Sequence, residues 1–158
     1  MNTGRRKVLK GSGGLAVMGL AMSAGLFKPG SAWAQAGWNK AAFETKSVAD
    51  TVKALGGATP ATESKDIVIT SPDIAENGAV VPFTITSKIP KTESIALLVE
   101  KNPNTLAATF NIPEGTEAGI QTRVKMGQTS NVIALVKADG KFYFTGKEVK
   151  VTLGGCGG

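Results

Sequence analysis

The chain has 158 residues, of which 42% are hydrophobic and 19% are charged, so it is long and apolar enough to form about one folded domain. It contains no histidine and a single cysteine. These counts exclude an intrachain disulfide, catalytic arrangements that need a histidine, and zinc sites that this chain could build alone from histidines or several cysteines. We therefore expect neither a metal site nor a cofactor.

The net charge of +6 is concentrated at the N-terminus. Residues 1–34 contain five basic residues and no acidic residue, whereas the rest of the chain contains 13 basic and 12 acidic residues. A protein that binds nucleic acid usually carries a basic patch on its folded domain. Because the body of this chain has no such patch in its sequence, nucleic acid is not expected as a partner.

The first 34 residues have the layout of a secretory signal. Arg5 and Arg6 open a basic stretch, residues 11–27 are uncharged and rich in Ala, Gly, Leu and Met, and Ala32 and Ala34 provide the small residues that a signal peptidase reads. The sequence predicts a signal peptide over residues 1–34 that is cleaved after Ala34. Its apolar run has 17 residues, including five glycines, and a bilayer needs about 20, so no stable membrane anchor is expected. The same glycines disfavour a buried helix.

The paired arginines resemble the twin-arginine type of export signal, whose pattern is Ser/Thr-Arg-Arg-x-Phe-Leu-Lys. This chain keeps both arginines, Leu9 and Lys10, but has Gly4 for the Ser/Thr and Val8 for the Phe. The resemblance implies export of an already folded protein into the periplasm, an oxidising compartment.

Residues 38–55 are predicted to form one amphipathic helix. Gly56 and Gly57 end the segment with residues suited to a left-handed C-cap, and Pro60 stops any continuation. Its apolar face either covers the core of the domain or packs against a partner chain. The residues that share this face at helical spacing are Trp38, Ala41, Ala42, Thr45, Val48, Ala49, Val52 and Leu55.

From residue 66 onward the hydrophobic period changes to two, which is typical of strands. Asp139-Gly140 between two apolar runs indicates a tight hairpin. Seven or eight short strands predict an all-β, immunoglobulin-like β-sandwich with one N-terminal helix, over residues 35–153. The alternating or short apolar runs are residues 67–69, 81–86, 95–99, 106–112, 120–126, 132–136, 142–144 and 147–153.

The last five residues form a tail whose only side chain is a thiol. Cys156 is flanked by Gly154 and Gly155 before it and by Gly157 and Gly158 after it. Glycine gives the backbone many conformers, so residues 154–158 are predicted to be a flexible arm, which is at most ~17 Å long when extended. We interpret Cys156 as a covalent attachment site carried by this arm.

Other roles for the tail remain as alternatives. Cys156 could be a spectator or could form an intermolecular disulfide. Prenylation is excluded because only two glycines follow the cysteine and export is expected. Ubiquitin-like sulfur carriers also end in Gly-Gly, but they need activation by ATP, which the periplasm does not supply.

The export signal, the single helix, the all-β body and the ending Val-Lys-Val-Thr-Leu-Gly-Gly-Cys-Gly-Gly (residues 149–158) together resemble the SoxY family. Members of this family are sulfur-carrier subunits of the Sox thiosulfate-oxidising system. The resemblance implies a heterodimer with SoxZ, a second β-sandwich that has no export signal of its own. It implies that a c-type cytochrome couples thiosulfate to Cys156, that a hydrolase releases sulfate, and that in some organisms a sulfane dehydrogenase oxidises the remaining sulfur.

The resemblance therefore predicts a periplasmic sulfur carrier that catalyses nothing itself and contains no catalytic residue. The alternative is an immunoglobulin-like structural or interaction module whose tail cysteine forms an intermolecular disulfide. The face that binds a partner subunit stays open, since the helix over residues 38–55 and the outer faces of the strands are both candidates.

Overall fold

The computed structural model of the protein describes residues 39–58 and 60–152. The predicted signal peptide (residues 1–34), Trp38, Leu153 and the predicted arm (residues 154–158) lie outside the described residues. Within them the elements in chain order are α1 (Lys40–Phe43), α2 (Val48–Ala54), β1 (Thr62–Glu63), β2 (Ile67–Thr70), β3 (Ile74–Ala75), β4 (Val81–Ser87), β5 (Thr92–Val99), β6 (Leu106–Asn111), β7 (Gly119–Val124), β8 (Ser130–Ala138) and β9 (Lys141–Val151).

The strands form two sheets. The large sheet has the order β1-β9-β8-β5-β6, with β3 also paired to β9, and the small sheet has the order β2-β4-β7. All neighbours are antiparallel except β1 and β3, which run parallel to β9. The predicted all-β, immunoglobulin-like sandwich is therefore confirmed.

The main core fills the space between the two sheets. Alternation along each strand sends every second side chain inward, as in Phe83 and Ile85 of β4 and Ile95 and Leu97 of β5, which are almost fully buried. The other buried members of this cluster are Ile67, Ala75, Val81, Val99, Met126, Val132, Ala134, Val136 and Val149.

A second apolar cluster covers the opposite face of the large sheet. Leu98 of β5 and Leu135 of β8 point away from the small sheet and are buried against Ala42 of α1 and Val52 of α2. Strands β5 and β8 are therefore buried on both faces, which explains why residues 95–99 and 132–136 read as continuous apolar runs.

The predicted single helix over residues 38–55 is wrong, because the described part of it is two short helices. Ser47 has extended backbone angles, and its hydroxyl oxygen accepts a hydrogen bond from the backbone N–H of Asp50, so it starts α2 as an N-cap. Thr45, which was placed on the apolar face, is buried in the turn between the helices, where its hydroxyl lies 2.7 Å from the hydroxyl of Thr51.

The apolar face predicted for this helix was correct only in part. Ala42 and Val52 are buried, but Ala41 and Ala49 are exposed. The break between the helices changes their rotation relative to the sheet, so a single helical period cannot describe both.

The predicted end of the helical segment is confirmed. Gly56 adopts a φ of +90°, and the N–H groups of Gly56 and Gly57 donate to the carbonyls of Lys53 and Val52. This is the Schellman pattern of a helix C-terminus, in which glycine avoids the strain of a left-handed residue.

Two predicted strands, residues 142–144 and 147–153, are one continuous strand as far as the structure describes them. β9 pairs with β8 from Lys141 to Val149 without a break, and Gly146 lies opposite Ile133 within it. The predicted tight hairpin is confirmed, since Asp139 and Gly140 both have positive φ between β8 and β9. The short strands β1 and β3 had no counterpart in the sequence prediction.

Candidate functional site

The structure describes the strand that leads to the predicted arm. β9 ends at Val151, and Thr152 is the last described residue before Cys156. Val149 is fully buried and Val151 is half-buried, while Glu148 and Lys150 are exposed, so the strand keeps its alternation up to its end.

Hydrogen bonds hold the end of β9 from both sides. The N–H of Val151 donates to the hydroxyl of Thr129 at 3.0 Å, on the side of β8. On the other side the N–H of Thr152 donates to the carbonyl of Ala75 at 3.1 Å. The backbone position of the chain is thus fixed up to Thr152, and only four residue steps separate it from Cys156.

An ion pair connects the segment before β3 to β9. Lys147 of β9 donates to the carboxylate of Asp73 at 2.8 Å and to the carbonyl of Ser71 at 2.7 Å. The hydrogen bond and the charge of Lys147 lower the pKa of Asp73 below its ordinary value. The N–H of Lys150 also donates to the carbonyl of Asp73 at 2.9 Å, so β9 holds Asp73 by both side chain and backbone.

The turn after β3 packs closely on the end of β9. A Cβ at Gly78 would lie 2.5 Å from the carbonyl oxygen of Met126 and 2.8 Å from a methyl carbon of Val151. The carbonyl of Gly78 also accepts a hydrogen bond of 2.7 Å from the N–H of Met126. Glycine is needed here because any side chain would displace backbone.

Residues 74–80, which we call the base segment, therefore lie along one side of the end of β9, where Ile74 and Ala75 pair with it and Gly78 contacts Val151. Four residues span at most ~14 Å when extended, which limits how far the sulfur of Cys156 can lie from Thr152. The sequence identified Cys156 and the four glycines as the arm; their positions lie outside the described residues, and the structure describes only the scaffold from which they extend.

A separate apolar cavity of about 310 Å³ lies beside α2. Val48 and Val52 of α2 and Phe144 of β9 contribute to its lining, together with Pro60 and Ala61 of the segment that leads into β1. The cavity lies on the side of the large sheet that the helices cover. From the sequence, this helical segment is one candidate for contact with a partner subunit.

A polar depression lies at the opposite end of the large sheet, near the β8–β9 hairpin. Glu93 lines it with Lys91 and Asp139. The pKa of Glu93 is lowered, first by the hydrogen bond that its carboxylate accepts from the N–H of Gly140 and then by Lys137. The register of the sheet puts this group far from the end of β9, because Ala138 pairs with Lys141 at one end and Ser130 with Val149 at the other.

No group of three or more His, Cys, Asp or Glu side chains among residues 39–58 and 60–152 could hold a metal ion. In the same part of the chain, no helix has the length and apolar character needed to cross a membrane.

Sequence reasoning missed the scaffold that holds the end of β9. The strand β3 has only two residues, so it has no period that a pattern could detect. β3 pairs with residues of β9 that lie 76 positions later in the chain, so only the folded structure reveals the pairing.

Comparison with known proteins gives one strong likeness. The family model described as "Sulfur oxidation protein SoxY" matches residues 52–156. The solved structure of the sulfur carrier protein SoxY from Chlorobium limicola f thiosulfatophilum is 36% identical, with a TM-score of 0.61, over 66% of this chain and 96% of that one.

A second solved structure is less similar to the chain. A superoxide reductase (neelaredoxin) from Ignicoccus hospitalis is 15% identical, with a TM-score of 0.48, over 54% of this chain and 80% of that one, and this likeness carries no conclusion. No curated protein matches the chain. The family match covers most of the chain and reaches the cysteine of the tail, and the related structure is covered almost completely; the chain belongs to the SoxY family of sulfur oxidation proteins.

Proposed function

We propose that this protein is a periplasmic sulfur carrier that holds thiosulfate-derived intermediates covalently on Cys156 and presents them to the enzymes of a Sox system. The observation that carries the proposal is the family match, which ends at residue 156, the position of the only cysteine in the chain. The related structure from Chlorobium limicola is itself described as a sulfur carrier protein.

The scaffold of β9 supports this role. A carrier needs a fixed body and a reactive group on a segment that can reach away from that body. The hydrogen bonds at Val151 and Thr152 fix the backbone of the body up to four residues before Cys156. Gly154, Gly155, Gly157 and Gly158 add no side chains around the thiol. The arm therefore presents little more than backbone and sulfur to a narrow active site.

Loading is an oxidation. The thiol of Cys156 and thiosulfate join through a new S–S bond, which gives a cysteine S-thiosulfonate, releases one proton and transfers two electrons to a c-type cytochrome. Water then attacks the terminal sulfonate sulfur in a hydrolase, so the S–S bond to that group breaks and sulfate leaves. A persulfide remains on Cys156, and a sulfane dehydrogenase is the class of enzyme that would oxidise it further.

These steps require no general acid or base from this chain, which contains no histidine. The partner enzymes supply the electron acceptor and the water-activating groups, and this protein supplies the thiol and its position. We accordingly propose that it is a carrier subunit and not an enzyme.

We further propose a heterodimer with a SoxZ-like subunit. Residues 1–34 would direct the chain to the periplasm through the twin-arginine route, which transports folded proteins and could carry the partner along. The mature chain would then begin at Gln35.

One experiment tests these proposals together. The native protein is purified from cells grown on thiosulfate and from cells grown without it, and intact masses are recorded under non-reducing conditions. We expect a chain that begins at Gln35, with a thiosulfate-dependent increase in mass that a reductant removes. The variant Cys156→Ser should show no increase while still co-purifying with its partner subunit.

Adducts on the Cys156→Ser variant would contradict the assigned site. A native chain that carries no sulfur under either growth condition but runs as a disulfide-linked dimer would support the alternative of an interaction module. A chain that retains residues 1–34 in the cell would contradict the proposed export.

A further inference from the structure

Two large apolar side chains are exposed on the base segment (residues 74–80). Ile74 exposes 56% of its surface and Val80 exposes 51%. Among the described residues only one other large apolar side chain is exposed to this degree, Val68, which lies on the outer face of the small sheet. Two of these three side chains therefore lie on one seven-residue segment.

The base segment is fixed against the strand that carries the arm. Ile74 pairs with Lys150, and Ala75 pairs with Val151. The close contact of Gly78 with Val151 holds the following turn, from which Val80 leads into β4. Ile74 thus lies beside the end of β9, and Val80 follows Gly78, which contacts the same end of that strand, by two residues.

The length of the arm limits where a partner can bind. Cys156 follows Thr152 by four residues, so its Cα can lie at most ~14 Å from that of Thr152. An active site usually lies inside a cleft, and part of this length is used to enter it. Any protein that acts on the sulfur must therefore bring its active-site entrance close to the end of β9, beside the base segment.

The charges around this point nearly cancel. Asp73 and Glu76 carry negative charge, whereas Lys147 and Lys150 of β9 and Lys125 of the adjoining loop carry positive charge. Such a balance offers little net electrostatic attraction, whereas buried apolar side chains at the centre of an interface contribute most of the binding energy.

We propose that Ile74 and Val80 form the docking surface for the enzymes that act on Cys156, and that each such enzyme surrounds its active-site entrance with a complementary apolar rim. This inference rests on the proposed carrier function. It adds that the body of the carrier, and not only its arm, contributes to recognition.

The test compares the substitutions Ile74→Thr, Val80→Thr and the double variant with Val68→Thr as the matched control. Threonine keeps the branch at Cβ, and its hydroxyl replaces a methyl group of valine or the ethyl group of isoleucine. Each mature protein, with its partner subunit, is incubated with thiosulfate and the loading c-type cytochrome of the same organism, and the mass increase on Cys156 is followed over a range of carrier concentrations.

We expect the apparent KM to rise about three- to tenfold in each single variant and more than about tenfold in the double variant, with the limiting rate unchanged within about twofold. Val68→Thr should match the parent protein. Reaction of the Cys156 thiol with a small disulfide reagent should proceed equally in all variants, because that reagent needs no docking surface.

An unchanged KM in the double variant would overturn the inference while leaving the carrier function intact. Loss of the partner subunit from the variants would also overturn it, because the two side chains would then belong to the subunit interface, and a change in self-association would assign them to contact with a second copy. If the parent protein takes up no sulfur at all, the carrier function itself fails.

Discussion

At the scale of single residues, Lys147 of β9 holds the segment before β3 against the strand that leads to the predicted arm. Lys147 binds the carboxylate of Asp73 and the carbonyl of Ser71, and Asp73 precedes the short strand β3 that supports the end of β9. The lowered pKa of Asp73 shows that its carboxylate is stabilised in the folded protein by Lys147. Position in the fold, rather than residue type, makes this ion pair relevant to the arm.

This ion pair predicts a dependence of stability on pH. The pKa of Asp73 is lower in the folded than in the unfolded chain, so its stabilising effect is complete above about pH 4 and is lost as the pH falls through the folded pKa. Urea unfolding should show Asp73→Asn to be less stable than the parent protein at pH 7, and the difference should shrink at pH 2.

A substitution of Lys147, the ion-pair partner of Asp73, provides the control for this prediction. In a Lys147→Met background, Asp73→Asn should change the free energy of unfolding at pH 7 much less than it does in the parent protein, because the two residues are coupled. Equal effects in both backgrounds would show that Asp73 is stabilised by something other than Lys147.

At the scale of elements, the helical segment shows how local side chains override a hydrophobic period. Residues 38–55 have helical spacing, yet the described part contains α1 and α2 separated by a turn. Thr45 donates to the carbonyl of Ala42, and Ser47 caps α2, so both side chains satisfy backbone groups that a continuous helix would have used. Hydroxyl side chains favour such caps and turns over helix interiors.

The cap can be tested directly. Ser47→Ala removes the oxygen that accepts the N–H of Asp50 at 3.1 Å, and we expect a loss of about 1 kcal/mol in the free energy of unfolding, measured with urea. Ser47→Asp, which keeps an acceptor at this position, should retain most of the stability. An alanine variant more stable than the parent would indicate that α1 and α2 prefer to join into one helix.

At the scale of the whole molecule, the large sheet is a shared middle layer. One face of β5 and β8 packs against the small sheet, and the other face packs against the helices. Leu97 and Leu98 are neighbours in sequence, yet they belong to different cores, and both are fully buried. The helices are therefore part of the folded body and not an appendage to it.

This arrangement predicts a large effect from a residue outside the sandwich core. Leu98→Ala should lower the free energy of unfolding by about 2–5 kcal/mol, as expected for a buried leucine. Val68→Ala, on the exposed face of the small sheet, is the control and should change it by less than about 1 kcal/mol. Denaturant unfolding measures both, and a small effect at Leu98 would contradict the helix-covered core.

The sequence predicted most of the sandwich. Strict alternation in residues 81–86 and 120–126 corresponds to β4 and β7, and the Asp139-Gly140 hairpin lies where its turn residues indicated. Pro82, which has no N–H, is the second residue of β4; it pairs with Arg123 of β7 and lies beyond the last residue that pairs with β2. These features are local, so neighbouring residues are enough to specify them.

The candidate site also has one part that the sequence predicts and one part that only the structure shows. Cys156 and the glycines around it can be identified from the sequence, since their chemistry depends only on residue type and order. The surface around the end of β9 cannot be identified from the sequence, because Ile74, Gly78 and Thr129 contact Lys150 and Val151 only when the sheet is formed.

By itself, the sequence determined the class of fold, the tight hairpin at Asp139-Gly140 and the position of the one thiol, because periodicity, turn residues and composition act over a few positions. The tertiary structure alone decided that the helical segment breaks, that β5 and β8 are buried on both sides, and that β3 supports the end of β9. The physical reason is that contacts between distant segments depend on packing and hydrogen bonding across the whole sheet, which no short window of residues contains.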